Sequence, residues 1–246
     1  MLAFSNLCIK KRLRSVSGSA VAGQFVHLLG ANGAGKSSLL AAISGLLAID
    51  SGNVTLHSRD VNDYSLAQLA DFRCLQEQQQ NTVFSISVKE SLEFFAPQGE
   101  FPACLEKALE IKSFMHRPLS ELSGGESRRV QIARVLWQVW KAVEQGQALI
   151  LLDEPVQGLD FRHQHLLFLM LTEQARKGNV VVVSHHDLNL CQQYAQQVWL
   201  MQNGEILMQG EVDYVLRAEH LQGVFDCEVR SFSDHQGKLL FQTYLD

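Results

Sequence analysis

The sequence predicts an α/β fold built on a mostly parallel sheet, and three observations carry that expectation. Short apolar runs without alternation recur at Phe25 to Gly30 ("FVHLLG"), Ala148 to Pro155 ("ALILLLDEP") and Asn179 to Asp187 ("NVVVVSHHD"). Runs of this kind suit strands covered on both faces, as parallel strands are. Helical patterns separate them, for example at Leu39 to Leu47 and Phe161 to Lys177, and that alternation sets the class. Near the end, "VWLMQNGEILMQG" places Asn203-Gly204 between two apolar runs, a hairpin signal that adds antiparallel strands at an edge.

In chain order, the basic run "KKRLR" at Lys10 to Arg14 reads as a solvated turn ahead of the first buried strand. The middle of the chain, from about Asn81 to Gly146, lacks such strands and reads as helices separated by Pro97, Pro102 and Pro118. It is expected to be a helical subdomain inserted between two core strands. The 246 residues are therefore divided, within one domain, into a core from 1–80 and 147–246 that includes an antiparallel β subdomain, and an insert at 81–146.

Inside the insert, "LSGGESRR" (Leu122 to Arg129) sets a serine and two glycines before a helical pattern continued by Leu136, Trp137, Val139 and Trp140. Ser123 and Glu126 have the spacing of a capping box. Gly124 and Gly125 do not fit that reason, because each glycine costs a helix about 1 kcal/mol against alanine. A helix N-terminus with exposed N–H groups is also an anion site. The fragment alone leaves both readings open.

Composition narrows the function. A formal net charge of −5 argues against nucleic acid as a partner, since such binders carry a basic stripe. The five cysteines have no C-x-x-C pairing, which fits neither a disulfide framework nor a zinc site and suggests reduced thiols in a cytosolic compartment. No stretch reads as a signal peptide, and no apolar run approaches the roughly 18 to 20 residues of a membrane span. A role at a membrane would need a partner that spans it.

Chemistry concentrates in three places. "GANGAGKS", Gly30 to Ser37, matches G-x-x-x-x-G-K-[ST] between a predicted strand and a predicted helix, the setting a phosphate-binding P-loop requires. Gly30, Ala31, Asn32, Gly33, Ala34 and Gly35 would curl backbone N–H groups round phosphates; Lys36 would reach the β and γ phosphates; Ser37 would offer Mg²⁺ a hydroxyl, with Ser38 beside it. "LILLLDEP" ends in Asp153, suited to the metal, and Glu154, suited to act as general base on water. "SHHDL" adds two histidines where ligands of parallel sheets bind, beyond the strand carboxyl ends.

With those residues in view, the chain resembles the nucleotide-binding subunits of ABC transporters. "GANGAGKS", "LSGGE", "LLDEP" with "GLD" (Gly158 to Asp160) and "SHHDL" stand in that family's order over nearly the whole chain. The resemblance implies a P-loop NTPase, RecA-like core, with ATP and Mg²⁺ as ligands. It makes His186 the switch histidine and Gln78 the glutamine that contacts Mg²⁺ and the attacking water. It further implies that two copies pair head to tail on ATP, so that Ser123, Gly124, Gly125 and Glu126 of each bind the other's nucleotide, with Asp160 at the shared interface.

Two separate transmembrane permease subunits and, indirectly, a periplasmic binding protein are the further partners implied, with the chain peripheral on the cytoplasmic face of the bacterial inner membrane. The permease contact is expected between Gln78 and Phe95. Within the family, the glutamate-ending signature, the long link "WQVWKAVEQGQ" and "SHHDLN" are most similar to vitamin B12 importers. Siderophore-iron and haem importers have similar ATPases, and a soluble ABC ATPase without transport is the remaining alternative. No tyrosine stands in the first thirty residues to stack on adenine, which leaves Leu13 or Arg14 as candidates.

Overall fold

A computed structural model describes residues 1–77, 86–95, 99–233, 235 and 238–244. The chain opens with strands β1 (Leu2–Ile9), β2 (Leu13–Ala20) and β3 (Phe25–Leu29), then helix α1 (Lys36–Ile43). Next come β4 (Ser51–Leu56), β5 (Arg59–Asp60), α2 (Leu66–Phe72) and β6 (Arg73–Gln76). The stretch read as helical holds α3 (Val88–Phe95), α4 (Ala103–Leu109), α5 (Gly124–Gln138) and α6 (Trp140–Glu144). After it run β7 (Leu149–Asp153), α7 (Phe161–Arg176), β8 (Val180–His185), α8 (Leu188–Tyr194), β9 (Gln197–Gln202) and β10 (Glu205–Gly210). The chain finishes with α9 (Val212–Val215), α10 (Ala218–Phe225) and the pair β11 (Glu228–Ser233) and β12 (Leu239–Tyr244).

The central sheet has the order β10-β9-β3-β8-β7-β6. Its strands run parallel except β10, which folds back on β9. Asn203 and Gly204, at φ 49 and 82, supply the two positive backbone angles of that hairpin turn. A separate antiparallel sheet, β2-β1-β4-β5, occupies the N-terminal region.

Continuous apolar strands bury both faces because successive side chains point opposite ways. Leu149 and Leu151 of β7, with Val180 and Val182 of β8, join the cluster under α1 and the N-terminal sheet. Ile150, Leu152, Val181 and Val183 face a second cluster with α5 and α7. That second cluster also takes in Val88, Leu105 and Ile132, so the helical stretch shares its core with the sheet.

Two helices differ from expectation. The one predicted to reach Leu47 stops at Ile43, because Gly45 turns to φ 76 and Leu46 N–H and Gly45 N–H bond back to the Ala41 and Ala42 carbonyls, closing a Schellman cap. The apolar pattern through Trp140 is not one helix either. Val139 leaves helical geometry at φ −101, ψ 15, and α6 turns to pack on α2.

Register places the candidate chemistry at one end of the sheet. Leu29 pairs with His185 and Asp153 with Ser184, so the carboxyl ends of β3, β7 and β8 finish side by side. Ligands of such sheets bind there.

Candidate functional site

A cavity of about 500 Å³ opens at that end, lined by Asn32, Gly33, Ala34, Gly35, Lys36, Ser37, Ser38, Asp153 and Glu154. Gly30 is obligatory beneath it, since a Cβ there would stand 2.2 Å from the Met201 carbonyl oxygen. Lys36 is the first residue of α1, whose N-cap, Gly35 at φ 105, makes no side-chain cap. The first-turn N–H groups are thereby left for an anion. The Lys36 ammonium donates to the carbonyls of Gly30 at 2.8 Å and Ala31 at 3.2 Å and lies 3.6 Å from Glu154 Oε1.

Asp153 and Glu154 are buried, at 3% and 7% exposure. Ser184 holds both: its hydroxyl donates to Asp153 Oδ1 and accepts the Glu154 N–H at 3.1 Å. Glu154 has φ 49, a left-handed conformation that costs a non-glycine residue on the order of 1–2 kcal/mol. Such strain gathers where a side chain must be aimed, and here it sends Glu154 Oε2 to within 3.3 Å of His186 Nδ1.

The two histidines separate cleanly. His186 is largely exposed, whereas His185 is fully buried. The Asp187 N–H donates to His185 Nδ1, so the proton sits on His185 Nε2, which donates to His27 Nδ1 at 2.8 Å. Burial, with the charges of His186 and Lys36 second, lowers the His185 pKa to about 3. Bonded to the Asp187 N–H, the buried His185 is suited to hold the loop that carries His186.

The stretch at Ser123 to Glu126 does not line this cavity. Ser123 caps α5: its Oγ accepts the Glu126 N–H at 3.3 Å, and Glu126 Oε2 accepts the Ser123 N–H at 2.8 Å. That backbone bond, first among several causes, keeps the Glu126 carboxyl below the usual range, and Arg117 balances its charge at 2.9 Å. Gly124 faces open space, while a Cβ on Gly125 would meet the Gly158 carbonyl at 2.8 Å. The two glycines therefore answer different demands, one accessibility and the other packing within this chain. Asp160 caps α7 through the His163 N–H at 2.8 Å and is exposed. Gln78 lies outside the described residues, as does part of the span assigned to a permease contact.

Residues that sequence reasoning missed come from elsewhere in the chain. Ser184 directly follows the four valines Val180 to Val183 at the exit of a buried strand, a signal legible in the sequence. Arg117 and Arg128 carried none. The run Lys10 to Arg14 is more than a solvated turn: Lys11, Arg12 and Arg14 border the cavity. Leu13 is 3% exposed in the core, which removes it as a platform for a base.

The donor set at the cavity, the Ser37 hydroxyl and the Asp153 carboxylate, is hard oxygen, as Mg²⁺ prefers. Among the described residues no cluster of three or more His, Cys, Asp or Glu could hold a metal by itself.

Comparison with known proteins gives concordant results. The family model described as ABC transporter matches residues 13–157. The chain is 38% identical over 245 residues to the vitamin B12 import ATP-binding protein BtuD of Yersinia pseudotuberculosis serotype I (strain IP32953), covering 96% of each. It is 36% identical over 221 residues to the hemin import ATP-binding protein HmuV of Rhodopseudomonas palustris (strain BisB5), covering 87% of this chain and 85% of that one. Its fold matches the dimeric post-hydrolysis state of the ATP-binding cassette MJ0796 bound to ADP and Pi, with a TM-score of 0.73 and 25% identity over 86% of this chain and 99% of that one.

Proposed function

The chain belongs to the ABC transporter family as an ATP-hydrolysing subunit, and from that premise we propose that it powers uptake of vitamin B12 through separate membrane-spanning subunits. The observation that carries the ATPase reading is the convergence of Lys36, Asp153, Glu154 and His186 at one sheet end. Near full-length similarity to a vitamin B12 import protein supports the cargo. Among the described residues no helix is long and apolar enough to cross a membrane; similarity to an import ATP-binding protein supports a peripheral place on the cytoplasmic face.

In this reading the P-loop N–H groups and Lys36 hold the phosphates of ATP, and Glu154 takes a proton from the attacking water. His186, 3.3 Å from Glu154, bridges that carboxylate to the γ phosphate. Ser37 and Asp153, with Gln78, would hold Mg²⁺, which when bound offsets negative charge on the phosphate oxygens. Ser123, Gly124 and Gly125 serve the nucleotide of a second copy, paired head to tail, and Asp160 lies at the join. The basic rim of Arg12 and Arg14 takes the place of an aromatic ring at the base.

Similarity to a hemin import protein favours haem as a second reading of the cargo. Uptake of labelled cobalamin and of haem in cells lacking the gene separates the two. Loss of cobalamin uptake alone is expected; loss of haem uptake alone replaces the cargo, and loss of neither removes both cargoes.

A further inference from the structure

Arg128 is 6% exposed and lies on α5, five residues after the N-cap Ser123. Its guanidinium leaves that helix and spans to the catalytic strand. One terminal nitrogen donates to the carbonyls of Asp153 at 2.7 Å and Glu154 at 2.6 Å. The other donates to the Glu77 carbonyl at 3.3 Å, the residue directly before Gln78. A planar fork of donors fixes several acceptors together, which the point charge of a lysine does not.

The acceptors explain what is being fixed. The Asp153 and Glu154 carbonyls bracket the residue with the left-handed backbone, so holding them holds the direction of the Glu154 carboxylate. Burial lowers the Arg128 pKa, opposed by the negative charges of Asp153 and Glu154. The guanidinium is in this way secured by both backbone and charge.

We propose that Arg128 is a positioning residue that ties the aim of Glu154 to the placement of the helix start at Ser123 and Gly124. The inference rests on the reading in which that helix start serves the nucleotide of the second copy. One side chain then connects the half-site a subunit lends to its partner with the carboxylate it uses itself. Movement of α5 as the partner's phosphate is engaged reaches Glu154 through the fork, and the two ATP sites of the dimer become coupled.

The test is steady-state hydrolysis by the purified full chain across ATP concentrations, for wild type, Arg128→Gln and Arg128→Lys. Binding of a fluorescent ATP analogue and thermal unfolding are measured on the same samples. The expected result is a fall in kcat of about tenfold for Arg128→Gln, in keeping with loss of alignment alone, with analogue affinity within about twofold of wild type. Cooperativity in ATP is expected to disappear. Arg128→Lys, which keeps the charge and guards against loss of folding, should recover stability without recovering cooperativity.

A residue that merely staples the fold would lower the unfolding temperature and leave kcat per folded molecule and cooperativity unchanged; that result overturns the inference. Wild-type protein without ATP hydrolysis would instead overturn the proposed function on which it rests.

Discussion

At the scale of single residues, the site is an arrangement of constraints on Glu154. Its backbone is held left-handed, its N–H is bound by Ser184, and its two carboxylate oxygens meet Lys36 and His186. Replacing Glu154 with Gln keeps the shape and removes the carboxylate proposed to accept the proton. Turnover should fall by about 10²-fold or more while nucleotide binding persists, measured by phosphate release against analogue titration. Unchanged turnover would mean that another group takes the proton.

At the scale of elements, α5 is anchored at its start by contacts with other segments. Gly125→Ala puts a methyl group against the Gly158 carbonyl and should destabilise the fold by about 1–3 kcal/mol. Gly124→Ala, facing open space, should leave the unfolding temperature near wild type and lower ATPase activity. Thermal unfolding and turnover of the two variants test this split. The end of α4 is tied to α7 by Arg162, which grips Glu110 at 2.6 and 2.8 Å. Those hydrogen bonds hold the Glu110 pKa at about 2, below its ordinary value of 4.5. A folded pKa below the unfolded one gives stability above pH 4.5 that is lost as pH falls towards 2. The gap in unfolding temperature between wild type and Glu110→Gln should therefore close across that window.

The same scale shows what the sequence could reveal. The strands β3, β7 and β8 were legible because both faces are apolar, and the P-loop and "LLDEP" because their chemistry is contiguous. In β1, positive φ at Asn6 and register shifts on either side of Leu7 break the two-residue period that marks a strand. β11 is mostly exposed and shows no apolar run. Ser184 and Arg128 act on Asp153 and Glu154 across about thirty residues, and only the fold brings them together.

At the scale of the whole molecule, the cavity and the Ser123 to Glu126 stretch occupy different places in one chain. In the proposed dimer, each catalytic centre is then assembled from two polypeptides, in the closed symmetry common to homodimers. Defects in the two halves should consequently complement. A Lys36→Ala chain and a Ser123→Arg chain, each inactive by itself, would share one undamaged centre when mixed, joining the sound loop of one to the sound helix start of the other. Random pairing makes half the dimers mixed, so activity can return to about a quarter of wild type at most. Mixing the two proteins after reversible dissociation and assaying phosphate release reads it directly. Two dead proteins that revive each other in the tube would identify a centre that neither polypeptide owns.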